Sequence, residues 1–271
     1  MAMTGHALLK SLVPLLCLAA ACVLPATAAP ASVDVALVLA VDISTSMDED
    51  EFVLQRAGYV EALRHPEFIR AVRTGARGRI AIAYVEWAGT VRDDGVVGWQ
   101  VIDGPESADA FAASLARRPF RHFRGTSISG AIAVSANLLA TLGMSAERRV
   151  IDISGDGPNN IGLPVTSARD AAAAEGIVIN GLPLLIRPSP TFRDLAGYYE
   201  QCVITGPGAF MLPVRSAGEF ASAIRRKLIL EVSGGVPPAR VEKASAAAID
   251  CERGERDRRF YADPYFPELD P

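Results

Sequence analysis

The chemistry-bearing residues begin with Asp42, Ser44 and Ser46, set at alternate positions directly behind an apolar run, residues 35–41. A carboxylate and two hydroxyls delivered by one strand tip form an all-oxygen donor set, which hard divalent cations such as Mg2+ prefer. Two further oxygen groups stand in comparable places. Thr126 opens a later helical pattern, and Asp156 follows a second apolar run, residues 149–154, within Gly155-Asp156-Gly157. With two formal negative charges around it, a divalent ion stays electrophilic enough to attract an outside carboxylate, whereas an all-carboxylate cage would satisfy it internally. The competing structural reading is capping: Asp42 and Ser44 at the next helix, Thr126 at its own helix and Asp156 in a turn. Convergence of three separate loops on one edge favours the metal.

The elements that must bring these residues together alternate between strand and helix. Residues 51–63 carry Phe52, Leu54, Tyr59, Val60 and Leu63 at helical spacing, stopping before His65-Pro66. Residues 80–87 read as a strand, 88–95 as a turn and 96–102 as the returning strand of an antiparallel hairpin. A helix over 107–115, capped by Ser107, ends before Pro119, and another runs from Thr126 to 142. Beyond the strand at 149–154, the pattern predicts helices over 164–175, 191–199 and 216–232, with strands over 177–185 and 209–214. This order implies an α/β fold: a three-layer, doubly wound, mostly parallel sheet with one antiparallel edge hairpin and helices on both faces. In that architecture ligands bind at the carboxyl ends of the strands, where both acidic tips lie.

Lys10, the apolar residues 11–24 and Ala26-Thr27-Ala28 read as an export signal over residues 1–28, with the mature chain starting near Ala29. A membrane anchor is the rival, but Pro14 and Pro25 bound a run shorter than the roughly 20 residues a span needs. A lipoprotein start at Cys22 would want a different residue from Ala19 three places earlier, and that alternative stays open. The division expected is signal 1–28, one α/β domain over 29–232, and a tail over 233–271 rich in Pro, Gly and charge, with one short helix over 240–249. No later apolar run is long enough to cross a membrane, so the mature chain is expected to be periplasmic or secreted. Loss of Lys10 takes 27 Lys+Arg to 26 against 31 Asp+Glu, moving the charge from -4 to -5, which gives no footing for nucleic acid. Cys202 and Cys251 remain after the signal, an even pair in an oxidising compartment. A single disulfide tying the tail back is the expected fate, with two unpaired thiols the alternative, because sequence does not reveal distance.

Asp42-x-Ser44-x-Ser46 behind a strand, Thr126 at a later helix and Asp156 after a central strand together resemble the von Willebrand factor type A (VWA) domain and its metal-ion-dependent adhesion site (MIDAS). The likeness covers about residues 33–232. It implies Ser44, Ser46 and Thr126 as hydroxyl ligands of Mg2+ or Mn2+, with Asp42 and Asp156 balancing charge, often through water. It also implies a protein partner whose carboxylate completes the coordination. The form Ser154-Gly155-Asp156-Gly157-Pro158-Asn159-Asn160, with the signal and residues 84–87, further resembles a bacterial exported family of undefined function, the DUF1194 type.

Other polar residues have two readings each. Asp48, Glu49 and Asp50 resemble the acids of an adjacent calcium site in some relatives, or simply favour the helix dipole. Glu86 and Asp152, inside apolar strands, either orient water at the site or are satisfied by core hydrogen bonds. Arg117, Arg118, Arg121, His122 and Arg124, beside Phe120 and Phe123, form either a steering surface for an anionic partner or a solvated loop. Only His65 and His122 follow the signal, too few for a histidine zinc cluster. The reading is therefore a non-catalytic, metal-dependent binding module. The alternative is a metal-assisted hydrolase, phosphatase- or esterase-like, in which Asp42 or a serine attacks or activates water. Against it, Asp42 lacks the second aspartate two residues on that a haloacid-dehalogenase-like phosphatase carries, and no GxSxG or Ser-His-Asp grouping is evident.

Overall fold

The computed structural model describes Met1 and residues 32–47, 49–187, 192–235 and 248–261. The expected signal and Asp48 lie outside the described residues, and so does the expected helix over 240–249 but for its last two positions, which are not helical. The chain divides after Pro30, and every element below belongs to the second unit.

Strand β1 (Ser32–Asp42) is the middle of a five-stranded sheet. It pairs in parallel with β2 (Ile80–Trp87) on one side and β4 (Ser145–Gly155) on the other, and β4 pairs in parallel with β5 (Val178–Pro183). The one antiparallel partner is β3 (Val91–Ile102), giving the order β3-β2-β1-β4-β5. The fold is α/β, as the alternation of elements implies.

A strand buried on both faces reads as an uninterrupted apolar run, and β1 does. Its two faces differ in size. Val35, Leu37, Leu39 and Val41 pack with α1 (Glu49–Arg64), α2 (Pro66–Arg73), α3 (Pro105–Ala116) and α7 (Phe220–Ser233). Ala36, Val38 and Ala40 face α4 (Ile128–Ala140), α5 (Val165–Ala174) and α6 (Leu195–Tyr198), the last continued by a π-helical turn, Tyr199–Val203. Each buried Leu on the first face contributes about 1.5–3 kcal/mol. Registry places Asp42 opposite Trp87 and Val41 opposite Ser154, so the ends of β1, β2 and β4 share one edge.

Several elements differ from the sequence reading. Pro66, taken as a stop, is the first residue of α2, where a missing N–H is harmless; His65 caps it, Nδ1 accepting from the Glu67 N–H at 3.2 Å. The hairpin turn is shorter and β3 starts at Val91, its polar start tolerated on an edge strand whose bulged register absorbs the extra residues. Residues 209–214 make only the isolated bridges Gly181–Met211 and Leu184–Val214, since Pro213 cannot donate to a ladder. Ser107 sits inside α3 rather than at its cap, its hydroxyl accepting from the Asp103 and Gly104 N–H groups. Ser127, not Thr126, caps α4. Residues 253–261, read as an extended charged tail, form helix α8 (Arg253–Tyr261). A Cys202–Cys251 disulfide, with Cα atoms 5.6 Å apart, precedes it.

Candidate metal centre

Asp42 ends β1 fully buried. Its Oδ1 accepts the Ser44 N–H at 2.7 Å, while Oδ2 has no hydrogen-bond partner among the described residues. Gly155, at the end of β4, leaves room for that oxygen. A Cβ there would stand 2.9 Å from Asp42 Oδ2, 3.1 Å from the Tyr199 hydroxyl and 3.2 Å from the Trp87 ring. Behind Asp42 the chain turns outward and is held by a neighbouring loop: the Thr45 N–H donates to the Phe123 carbonyl at 3.1 Å, and the Phe123 N–H to Ile43 at 3.3 Å. This fixes the serines. Ser44 Oγ and Ser46 Oγ are 2.8 Å apart, and Ser46 Oγ donates to Asp156 Oδ1 at 2.8 Å.

Thr126 comes to the same edge from a third loop. The Ser127 N–H donates to the Ala88 carbonyl at 2.8 Å, and Gly125, with φ of 83°, turns the chain where a side chain would strike Ile161. The Thr126 N–H donates to Asn160 Oδ1 at 2.8 Å, and its carbonyl accepts from the Asn160 N–H at 2.8 Å. Its Oγ1 faces the Asp156 loop, lying 3.8 Å from where a Gly157 Cβ would be. The five expected residues, Asp42, Ser44, Ser46, Thr126 and Asp156, thus lie on three facing loops at one sheet edge.

Two carboxyls share this edge, and their surroundings raise both. Burial, and next the Asp156 charge, push the Asp42 carboxyl well above the usual carboxylate range, against the pull of hydrogen bonds from Ser44 and from the Asp156 backbone. Burial also raises Asp156, with the Ser46 hydroxyl opposing, Glu51 adding to the rise and the charge of Arg187, paired with Glu51 at 2.6 Å, opposing it. The Tyr199 hydroxyl, raised first by burial and then by Asp42 and Asp156, hydrogen-bonds the Gly155 carbonyl at 3.4 Å. Among the described residues no group of three or more His, Cys, Asp or Glu is placed to hold a metal. The available donors are instead three hydroxyls and two carboxylates, one with a buried unpartnered oxygen. That set fits a hard divalent cation.

Other expected residues go elsewhere. Glu86 is buried against Arg56 at 2.7 Å and Arg118 at 3.1 Å, and Asp152 is ion-paired with Lys227 at 2.7 Å; both face core partners rather than the strand-end oxygens. Arg121 pairs with Asp94, the Arg56 guanidinium covers the Phe120 ring at 4.3 Å, and His122 meets Phe52 edge-on. Much of the arginine loop's charge is therefore used within the fold. Glu49 and Asp50 are exposed in the first turn of α1. Sequence reasoning did not find the residues that hold the loops. Gln55 donates to Ser154 Oγ at 3.1 Å, Asn159 and Asn160 bind the α4 entrance, and Tyr199 backs Gly155. The only local signal was the polar pair Asn159-Asn160 at the tip, which has no fixed partner until the loops meet.

This topology is that of the von Willebrand factor type A domain. Solved structures of that fold superpose on it. Proximal thread matrix protein 1 from the mussel byssus, in a structure described as having a zinc-occupied MIDAS motif, is 14% identical over 75% of this chain and 49% of that one, with a TM-score of 0.56. The vWF domain of the type V pili tip protein Mfa5 from Porphyromonas gingivalis is 12% identical over 79% of this chain and 99% of that one, at 0.53. A von Willebrand factor type A protein from Catenulispora acidiphila is 15% identical over 75% and 43%, at 0.52. The chain thus spans about half the length of the mussel protein. No curated protein matches it. Residues 32–236 match the family described as "Protein of unknown function (DUF1194)", and the chain belongs to that family.

Proposed function

We propose that this chain is an exported, non-catalytic binding module that holds Mg2+ or Mn2+ at Asp42, Ser44, Ser46, Thr126 and Asp156 and recognises a carboxylate on a protein partner. One observation carries the reading: three loops bring these oxygens to one edge, where Asp42 Oδ2 is buried without a hydrogen-bond partner among the described residues and Ser44, Ser46 and Asp156 are linked at 2.8 Å. When bound, the ion supplies an electrophilic position for an outside carboxylate. Asp42 and Asp156 balance its charge, and the buried Trp87 and Tyr199 surround Gly155 beside Asp42. A mussel thread protein with a zinc-occupied motif and a pilus adhesin from Lactobacillus rhamnosus GG share the fold, which supports a binding role. In this reading residues 1–28 are the export signal, 29–232 the binding domain and 233–271 a tail, and the protein works in the periplasm or outside the cell. Among the described residues no helix is long and apolar enough to cross a membrane.

Calorimetric titration of Mg2+ and Mn2+ into the mature chain tests this. The intact protein is expected to bind, and Asp42→Ala and Thr126→Ala to weaken binding at least about tenfold. Failure of the intact protein to bind either ion overturns the reading, and metal-dependent phosphatase or esterase turnover replaces it with the hydrolase. Pull-down with and without a chelator then identifies the partner.

A further inference from the structure

Helix α8 lies beyond the residues that match the family, 32–236, yet it packs on the loop that carries Asp156. Its approach is anchored twice. Cys251 is bonded to Cys202, and the Ile249 N–H donates to Gln201 Oε1 at 3.0 Å while its side chain joins the core on the α4 face. The helix then meets the loop at Gly254, where a Cβ would come 2.2 Å from the Asn159 carbonyl oxygen and 3.2 Å from the Pro158 ring. Only glycine permits that approach. Next to it Glu255 Oε1 accepts from Asn159 Nδ2 at 2.8 Å, and its Oε2 is buried without a hydrogen-bond partner among the described residues.

Asn159 is the residue through which this contact reaches the site. It is fully buried, and its side-chain amide and backbone N–H are all used. Oδ1 accepts the Ser129 N–H of α4 at 2.9 Å, Nδ2 also donates to the Leu163 carbonyl at 3.1 Å, and its own N–H donates to the Tyr198 hydroxyl at 3.1 Å. The next residue, Asn160, holds the Thr126 peptide from both sides, and Asp156 lies just upstream. Removing α8 would take away one of the groups that orient the Asn159 amide and open a buried polar cluster to water.

We propose that residues 248–258, tied down by the Cys202–Cys251 disulfide, are a strap that positions the Asp156–Asn160 loop for cation binding, with Gly254 and Glu255 as its positioning residues. The cation part rests on the function proposed above; the loop part does not. Two readouts on the full mature chain keep them apart: amide hydrogen exchange over residues 156–161, with β1 amides as internal reference, and calorimetric titration of Mn2+ alone. Cys202→Ser/Cys251→Ser and Gly254→Val are expected to speed exchange over 156–161 with β1 unchanged, and to weaken Mn2+ binding on the order of tenfold. Glu255→Ala should do the same to a smaller degree, and Glu255→Gln, which keeps the acceptor oxygen, should restore both. Unchanged exchange over 156–161 in Glu255→Ala and the double serine variant overturns the strap, as does acceleration spread evenly over β1. If the parent chain binds no Mn2+, the cation reading fails while exchange still decides the strap; if a cysteine or glycine variant fails to fold, the Glu255 pair decides it.

Discussion

Two buried acid clusters flank strand β4, and they are neutralised differently. Inside the sheet, Asp152 shares the Lys227 ammonium with Glu231, while Asn180 Nδ2 donates to Glu231 at 3.1 Å and Lys227 lies over the Phe210 ring. At the strand's end, Asp42 and Asp156 face hydroxyls and backbone N–H groups, and no Lys or Arg is ion-paired with either among the described residues. The first cluster carries its own cation and is sealed by α7. The second sets two carboxyls against hydroxyls at the strand ends, with Ser46 exposed and Asp156 half-buried. A lysine stands against the interior pair, whereas the edge pair is met by hydroxyls and backbone N–H groups, with the Arg187 charge acting on Asp156 from beside Glu51.

The widest separation between the clusters should come from removing the internal cation. Lys227→Met leaves Asp152 and Glu231 facing each other in the core without their cation, and breaking a buried pair in this way costs about 3–5 kcal/mol. Asp42→Asn at the edge removes a charge that burial already disfavours, so the metal-free stability should change by less than about 1 kcal/mol. Urea unfolding of both variants in chelator makes the comparison. Equal losses would mean that the edge cluster is as much a structural element as the interior one.

Next in size is the response to metal. Saturating Mn2+ or Mg2+, at a hundred times the dissociation constant, should stabilise the parent chain by about 2.7 kcal/mol. Thermal melts with and without the ion read this out. Asp42→Ala should lose the shift, and Asp152→Asn should keep it. A shift retained in Asp42→Ala would place the ion somewhere other than the three loops.

Acidity should act on the interior cluster in a defined direction. Burial, and then the Glu231 charge, raise Asp152 from 3.8 to about 7 against the pull of Lys227. Burial lowers Lys227, but Asp152 and Glu231 outweigh it and its value rises. Tyr59, which also feels the Asp152 charge, is raised first by burial and stays neutral. Between its ordinary value and about 7 the folded chain binds a proton that the unfolded chain does not, so Asp152 contributes stability that is lost as pH rises through about 7. One proton limits the slope to about 1.4 kcal/mol per pH unit. Denaturation midpoints from about pH 5 to pH 8 should show this component in the parent and lack it in Asp152→Asn. Identical profiles would mean that Asp152 does not bind the extra proton.

What could be read in advance follows the same division. The edge site is carried by residues next to strand ends, where an apolar run followed by alternating oxygens is a local pattern, so Asp42, Ser44, Ser46, Thr126 and Asp156 were legible along with the α/β order. The interior cluster depends on α7 crossing β4: Lys227 and Glu231 lie in a helix whose pattern gives only an amphipathic face, and Asp152 left two readings open. Helix α2 was hidden because Pro66 signals both the end of one helix and the start of another. Helix α8 was hidden because its charges suggest solvent, while the contact that fixes it, Gly254 on Asn159, joins residues far apart in sequence.

The smallest expected change in stability makes the finest cut between a cation site and a set of caps. Ser46 is exposed, and its hydroxyl links Ser44 to Asp156. As a hydrogen-bond bridge alone it would contribute about 0.5–1.5 kcal/mol and have no bearing on metal affinity. As a ligand it would matter little without metal, because solvent can replace it at Asp156, and Ser46→Ala would weaken Mn2+ binding on the order of tenfold. Calorimetric titration paired with urea unfolding of this one variant reads both quantities. Loss of stability with unchanged Mn2+ affinity would assign Ser46 to the turn, whereas loss of affinity at nearly constant stability would leave the edge cluster open to a cation in the way the interior cluster is not.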